Sequence, residues 1–232
     1  MAVKKMMAVL STRMLTPSQR STLRLANINV VDYDAITIAL KDFELPNTSD
    51  YLIFTSKNGA KAYLEKLKAT GKQQATQSQA FCVGEKTKAY LEENGIKVLK
   101  MAENASELAH FIVKLNQKAP LLIFTGNRNR PELEKQLAEN NIPFRAIEVY
   151  ETQLVPRKFD QEFQGILFFS PSGVQSFTKE NTFAEVPAFC IGATTAREAQ
   201  NYFQHIFIAD KTTIDGVIES VITNLSTTTN KA

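Results

Sequence analysis

Several short segments of the sequence place hydroxyl groups, basic side chains and glycine directly after an apolar run. The residues in these segments that could contact a ligand are Thr12, Arg13, Ser56, Lys57, Asn58, Lys86, Thr87, Gly126, Arg130, Ser170, Ser172, Gly173, Thr194 and Thr195. Four of them, taken singly, are typical helix N-caps: Ser56, Thr87, Ser170 and Thr195. Taken together, the segments favour an anion site, because helix N-termini offer unpaired backbone N–H groups and partial positive charge. The favoured ligand carries several carboxylates or phosphates.

Residues for other kinds of catalysis are scarce. The chain has only two histidines, and neither of its two cysteines has a nearby histidine or a CxxC partner, which leaves little material for a zinc site or a Ser-His-Asp triad. Cys82 and Cys190 each lie within an apolar run and are predicted to be buried packing residues. No GxGxxG or GxxxxGK[ST] motif is present, which disfavours dinucleotide and nucleoside triphosphate binding. The residues therefore give no support for a nucleotide cofactor or a metal site.

The composition limits the class of protein. The chain has 232 residues, of which 44% are hydrophobic and 22% charged, as in an ordinary globular protein. A net charge of +3 does not indicate a nucleic-acid partner. No apolar run approaches the roughly 20 residues that a membrane helix needs. Together these features predict a cytoplasmic protein that binds neither nucleic acid nor membrane.

The chain contains an internal repeat. The segment 52–60, LIFTSKNGA, recurs 114 residues later as ILFFSPSGV, and the segment 80–87, AFCVGEKT, recurs 108 residues later as AFCIGATT. A further pair joins VLST at 9–12 to LIFT at 122–125, an offset of 113 residues. The units therefore occur in a different order in the two copies, which indicates a circular permutation.

Each unit is an apolar run, a small or hydroxyl-rich turn and a segment with helical periodicity. Runs without alternation are typical of parallel strands covered on both faces by helices. The sequence thus predicts an α/β protein of two related, circularly permuted, flavodoxin-like parallel-sheet domains joined by a two-segment linker. Domain 1 comprises residues 1–36 and 160–232, domain 2 comprises residues 46–148, and the linker segments lie at about 35–47 and 149–163. Regular strand pairing is expected to stop in the linkers, near Pro46 and Pro156.

Ligands of open parallel sheets bind beyond the carboxyl ends of the strands, where these turns lie. We expect the ligand in a cleft between the two domains, with the paired linkers acting as a hinge.

Four motifs together resemble the uroporphyrinogen-III synthase family: LIFTSKNG at 52–59, FSPSG at 169–173, IGATTA at 191–196 and EVYET at 148–152. The resemblance covers nearly the whole chain. It implies a cofactor-free enzyme of tetrapyrrole (haem) biosynthesis, which cyclises hydroxymethylbilane to uroporphyrinogen III and inverts the last pyrrole ring. That substrate carries eight carboxylates, which agrees with the predicted anion site.

The same resemblance implies roles for particular residues. The family's substrate-contacting hydroxyls correspond to Ser170, Thr195 and Thr87, and its linker tyrosine corresponds to Tyr150. Tyr150 either donates a proton to the leaving hydroxyl as a general acid or packs within the linker. Ala193 replaces the proline that is usual in the IGATTA motif, which affects the stiffness of that loop. The resemblance is consistent with a monomer, and with the enzyme that supplies hydroxymethylbilane as a partner.

A different class of function also fits the pattern. A hinged two-lobe binding protein or sensor for a polyanionic small molecule would need the same two linker segments between its lobes and the same anion-binding turns. A turnover assay separates the two hypotheses.

Overall fold

The computed structural model describes residues 6–45, 51–71, 79–115, 119–129 and 131–228. The chain divides into two compact units, which we describe separately. Unit 1 consists of Met1–Thr37 and Gln153–Ala232, and unit 2 of Ile38–Thr152. The elements in chain order are β1 (Met7–Ser11), α1 (Pro17–Leu25), β2 (Ile28–Asp32), β3 (Ile36–Leu40), β4 (Tyr51–Phe54), α2 (Lys57–Thr70), β5 (Gln79–Val83), α3 (Glu85–Glu93), β6 (Lys97–Ala102), α4 (Ala105–Lys114), β7 (Leu121–Gly126), α5 (Glu132–Glu139), β8 (Phe144–Leu154), β9 (Gly165–Phe168), α6 (Pro171–Thr178), β10 (Ala188–Cys190), α7 (Ala193–Ala199), β11 (Ile206–Ile208) and α8 (Ile214–Thr228).

Unit 1 is built on a parallel sheet with the strand order β11-β10-β9-β1-β2. Its central strands are buried on both faces. In β1, Val9 packs into one hydrophobic cluster with Leu167, whereas the next residue, Leu10, packs into another with Phe168. Successive strand residues point to opposite faces, so a sheet covered on both sides needs apolar residues at every position.

Unit 2 contains a sheet with the order β3-β8-β7-β4-β5-β6, in which the strands from β8 to β6 are parallel. Here too, adjacent residues of β4 lie in different clusters, Leu52 in one and Ile53 in the other. The predicted α/β class with parallel sheets is confirmed.

The two sheets show the permuted order. Across the sheet of unit 2 the strands lie in the order β8, β7, β4, β5, β6, and across the sheet of unit 1 the equivalent strands lie in the order β2, β1, β9, β10, β11. Both sheets thus have the same five strand positions, but the chain forms these strands in a different order in each unit.

The chain passes between the units inside two regular strands. The Lys41 N–H donates to the Val149 carbonyl at 3.0 Å, and the Val155 N–H donates to the Ala35 carbonyl at 2.9 Å, so β3 and β8 run antiparallel. The two crossing strands satisfy each other's backbone groups. Regular pairing was expected to stop near Pro156, and β8 ends at Leu154, two residues before it. Pro46, where domain 2 was predicted to begin, lies outside the described residues.

No helix in the described part of the chain is long and apolar enough to cross a membrane.

Candidate functional site

Tyr150 of unit 2 lies at the carboxyl edge of the sheet. It pairs with Gly126, the last residue of β7, after a register shift between β7 and β8. Its ring covers Gly126 so closely that a Cβ added to that glycine would lie 2.4 Å from the phenol Cζ. The phenol oxygen is 2.9 Å from the Ser56 Oγ. Tyr150 was predicted to lie in a linker segment, and β8 continues through it to Leu154.

Ser56 precedes α2 and caps it. Its backbone is extended, with φ −154°, and its Oγ accepts a hydrogen bond from the Gly59 N–H at 3.3 Å. The N-cap prediction is therefore confirmed for Ser56. The neighbouring Lys57 places its Nζ 4.7 Å from the centre of the Tyr90 ring, a cation–π contact. Asn58 is half-buried in the same turn.

Thr87 does not cap α3. It is the third residue of that helix and is only 4% exposed, whereas Gly84 is the N-cap. Gly84 has φ +82°, a conformation that favours glycine, and its N–H donates to the Ala102 carbonyl at 2.9 Å. The N-cap prediction for Thr87 is wrong, because the turn is closed by backbone conformation. No side chain caps α3, and the neighbouring Lys86 is exposed.

The turn after β7 is anchored to β8 by Asn127. The Asn127 N–H donates to the Tyr150 carbonyl at 3.3 Å, and its Oδ1 accepts from the Thr152 N–H at 2.9 Å. Sequence reasoning missed Asn127; its signal was an asparagine beside Gly126 in a strand-to-helix turn. Arg130 lies outside the described residues.

In unit 1, Thr12 follows β1 and is only 5% exposed. Its Oγ1 donates to the Leu167 carbonyl at 2.8 Å, which ties the end of β1 to β9. The next residue, Arg13, is exposed.

Two carboxylates that sequence reasoning missed hold the turn after β1. Asp32 Oδ2 accepts from the Leu15 N–H at 2.9 Å, and Asp34 Oδ1 accepts from the Met14 N–H at 3.1 Å. Asp32 also forms an ion pair with Arg20 at 3.0 Å. The sequence signal was a pair of acidic residues at the end of the neighbouring strand.

Ser170 caps α6 as predicted, since its Oγ accepts from the Gly173 N–H at 3.0 Å. A Cβ added to Gly173 would lie 3.3 Å from the Thr12 Oγ1. The structure therefore brings together Thr12, Ser170 and Gly173, with Ser172 half-buried in the same helix turn.

Thr195 is the third residue of α7 and is 1% exposed, while Gly192 is the N-cap. Its predicted role as an N-cap is wrong, because glycine occupies the capping position, as it does before α3. Thr194 is exposed.

The two cysteines are buried packing residues, as predicted. Burial raises the pKa of the Cys82 thiol to about 11 and that of Cys190 to about 12. Nucleophilic catalysis needs a thiolate, so neither position suits it. Within the described ranges, no group of three His, Cys, Asp or Glu side chains could hold a metal ion.

Comparison with known proteins identifies the family. The family model for uroporphyrinogen-III synthase HemD matches residues 4–219, nearly the whole chain. The chain belongs to the uroporphyrinogen-III synthase family. The resemblance in the four motifs is thereby confirmed, and the chain is a member of an enzyme family of porphyrin biosynthesis.

Individual relatives agree with this family assignment. A porphyrin biosynthesis protein HemD from Ruminiclostridium josui is 24% identical over 189 residues, which is 74% of this chain. The chain spans about 37% of the length of that relative.

Two solved structures share the fold. Uroporphyrinogen-III synthetase from Helicobacter pylori has a TM-score of 0.73 and 22% identity, and covers 94% of this chain and 100% of its own. A variant of the Thermus thermophilus synthase has a TM-score of 0.71 and 14% identity, and covers 96% and 99%.

Proposed function

We propose that the protein cyclises hydroxymethylbilane to uroporphyrinogen III with inversion of the last pyrrole ring. The observation that carries this proposal is the match of the uroporphyrinogen-III synthase family model over residues 4–219. Helices α2, α3 and α6 begin in turns at the carboxyl ends of the strands. Helix N-termini bind anions, which suits a substrate with eight carboxylates.

The chemistry is an elimination followed by ring closure. Loss of the substrate hydroxyl gives an electrophilic azafulvene, which the last pyrrole ring attacks through its substituted carbon to form a spiro intermediate. The bond that joined this carbon to its methylene bridge then breaks and re-forms at the unsubstituted carbon of the same ring. Loss of a ring proton restores the pyrrole and completes the macrocycle, so the net reaction releases one water. The protein must hold the chain where the substituted carbon reacts first, because closure without the enzyme occurs at the unsubstituted carbon.

Tyr150 is the proposed general acid. A phenol at this edge of the sheet can donate its proton to the departing hydroxyl, which then leaves as water. The half-buried ring is held between Gly126 and Ser56, so the donor is already oriented before substrate binds. Preorientation of this kind lowers the entropic cost of reaching the transition state.

The remaining residues are proposed to bind carboxylates. The exposed cations Arg13 and Lys86 can reach an anionic group, and Lys57 is held over the Tyr90 ring at the start of α2. Backbone N–H groups of the helix turns supply further donors. The residues proposed to contribute these hydroxyl and backbone contacts are Thr12, Asn58, Thr87, Ser170, Ser172, Gly173, Thr194 and Thr195. Arg130 belongs to the proposal from its sequence position alone.

The test is to supply freshly generated hydroxymethylbilane to the purified protein, oxidise the products to porphyrins, and separate the type I and type III isomers by chromatography. We expect type III product in proportion to protein concentration, with or without a chelator. Type I product at every protein concentration would show that the assignment is wrong. Substrate binding without turnover would instead support the alternative of a binding protein. The enzyme that supplies the bilane is the proposed partner in this sequence of reactions.

A further inference from the structure

The Ser56 hydroxyl has two hydrogen-bonding neighbours, and both lie in unit 2. Its Oγ accepts the Gly59 N–H at 3.3 Å and is 2.9 Å from the Tyr150 phenol oxygen. A serine oxygen that accepts a backbone N–H keeps its own proton for a second partner. The phenol oxygen stands where that proton can be donated.

This direction of donation leaves the phenol proton available. If Ser56 donates to the Tyr150 oxygen, the phenol O–H points away from Ser56 and can be donated to another group. The order of donors is then the Gly59 N–H, the Ser56 O–H and the Tyr150 O–H. Hydrogen bonds in such a chain polarise one another and strengthen the last donor.

Gly126 sets the position of the ring. A Cβ at this residue would lie 2.4 Å from Cζ, 2.5 Å from Cε2 and 2.9 Å from the phenol oxygen of Tyr150. Contacts this short require the ring to move. Any larger residue at Gly126 would therefore shift the phenol away from Ser56.

The other unit lacks this arrangement, although it has the same strand order. Ser170, the counterpart of Ser56, caps α6 in the same way. By strand register, residue 144 of β8 corresponds to residue 29 of β2, an offset of 115 residues that makes Ala35 the counterpart of Tyr150. The counterpart of Gly126 at the 113-residue offset is Arg13. Since unit 1 forms its five-stranded sheet without either residue, the phenol and its glycine are not requirements of the fold.

We propose that Ser56 and Gly126 are positioning residues for Tyr150, rather than groups that bind substrate. Ser56 orients and polarises the phenol, and the missing side chain of Gly126 allows the ring to lie against the end of β7. This inference rests on the proposed function, in which Tyr150 is the general acid.

The kinetic test compares Ser56→Ala with a matched capping variant. Asn104 caps α4 of the same unit by accepting the Glu107 N–H at 2.9 Å, so Asn104→Ala removes a cap without touching Tyr150. We expect Ser56→Ala to lower kcat about tenfold with a smaller change in KM, which is the size of one hydrogen bond. Asn104→Ala should keep the wild-type kcat, and Ser56→Thr, which retains the hydroxyl, should restore most of it.

Gly126→Ala should lower kcat by about a hundredfold, approaching Tyr150→Phe, because the acid itself is displaced. In the Tyr150→Phe background, Ser56→Ala should cause no further loss of kcat. Additive losses, or a wild-type kcat in Ser56→Ala, would overturn the inference. If Gly126→Ala does not fold, the Ser56 variants still decide.

A spectroscopic measurement separates this inference from the proposed function. With 3-fluorotyrosine at the six tyrosines, the ¹⁹F signal that disappears in Tyr150→Phe is that of Tyr150. That signal should move in Ser56→Ala and Gly126→Ala and stay in place in Asn104→Ala. An unmoved signal would overturn the inference whatever the activity. A wild-type protein that makes no type III product would overturn the proposed function, while the moved signal would still show that Ser56 and Gly126 hold the phenol.

Discussion

Tyr150 combines packing and a polar group in one residue. Tyr150→Phe keeps the ring over Gly126 and removes only the hydroxyl near Ser56. If the phenol is the acid, kcat should fall by about a hundredfold or more, while the free energy of unfolding should change by about 1 kcal/mol. Steady-state kinetics and denaturant unfolding measure the two effects. Near-normal turnover would make Tyr150 a packing residue and leave catalysis to substrate positioning.

The buried thiols make a separate prediction about pH. Cys82 and Cys190 have pKa values of about 11 and 12 in the folded protein, raised by burial from an ordinary value of 9.0. As pH rises above about 9, the unfolded chain loses these protons first. The stabilising contribution of the two thiols should therefore be complete below pH 9. Above it, the free energy of unfolding should decline between about pH 9 and 12.

Denaturant unfolding across this pH range, on the wild type and a Cys82→Ala/Cys190→Ala variant, measures the effect. Other groups titrate in the same range, so the difference between the two proteins is the quantity of interest. The variant should lose less stability than the wild type. Equal slopes would mean that the thiols are not protected by burial.

At the scale of elements, the two copies of one glycine test how closely helix and sheet pack. A Cβ at Gly59 in α2 would lie 2.7 Å from the Phe124 carbonyl oxygen in β7, a backbone atom. A Cβ at the counterpart Gly173 in α6 would lie 3.3 Å from its nearest neighbour, the Thr12 Oγ1. Gly59→Ala should destabilise the protein by about 1–3 kcal/mol, and Gly173→Ala by less, because a side chain yields more readily than a strand. Thermal or denaturant unfolding of both variants checks this, and a greater loss for Gly173→Ala would contradict it.

The first turns of the helices divide into two kinds. Ser56 and Ser170 cap α2 and α6 with a side chain. The helices that contain Thr87 and Thr195, α3 and α7, have glycine as the N-cap and no side-chain cap.

Ser170→Ala should therefore lower the free energy of unfolding by about 1 kcal/mol and also raise KM modestly. Thr87→Ala and Thr195→Ala should raise KM by less than about tenfold and preserve kcat, because the backbone N–H groups remain. Bilane kinetics with isomer analysis provide the measurement. A loss in kcat without a change in KM would show that these hydroxyls act in the chemical step.

At the scale of the whole molecule, the permuted order implies that each unit contains a complete sheet. Residues 37 and 153 are opposite one another between the 35–155 and 41–149 hydrogen bonds, so a two-residue turn could join them. We expect a chain of residues 38–152, and a second chain in which residue 37 is joined to residue 153 by Asn-Gly, each to unfold cooperatively. Circular dichroism during heating tests this. A broad, non-cooperative transition in both would show that neither unit is stable alone.

The sequence alone determined the class of fold, the repeat and the family. Unbroken apolar runs such as 52–54 and 122–124 predict strands covered on both faces, because burial determines the pattern of apolar residues. The order in which the repeated segments occur shows the permutation. The same apolar runs located the turns that carry Ser56, Thr87, Ser170 and Thr195.

Only the tertiary structure decided what those residues contact. Ser56 and Tyr150 are 94 residues apart, and their hydrogen bond depends on a register shift between β7 and β8 that no local pattern encodes. Likewise, the structure alone distinguished Ser56, a true cap, from Thr87, which lies behind a glycine with positive φ. The physical reason is that hydrophobic periodicity records burial, whereas hydrogen bonds between distant side chains depend on backbone conformation and strand register.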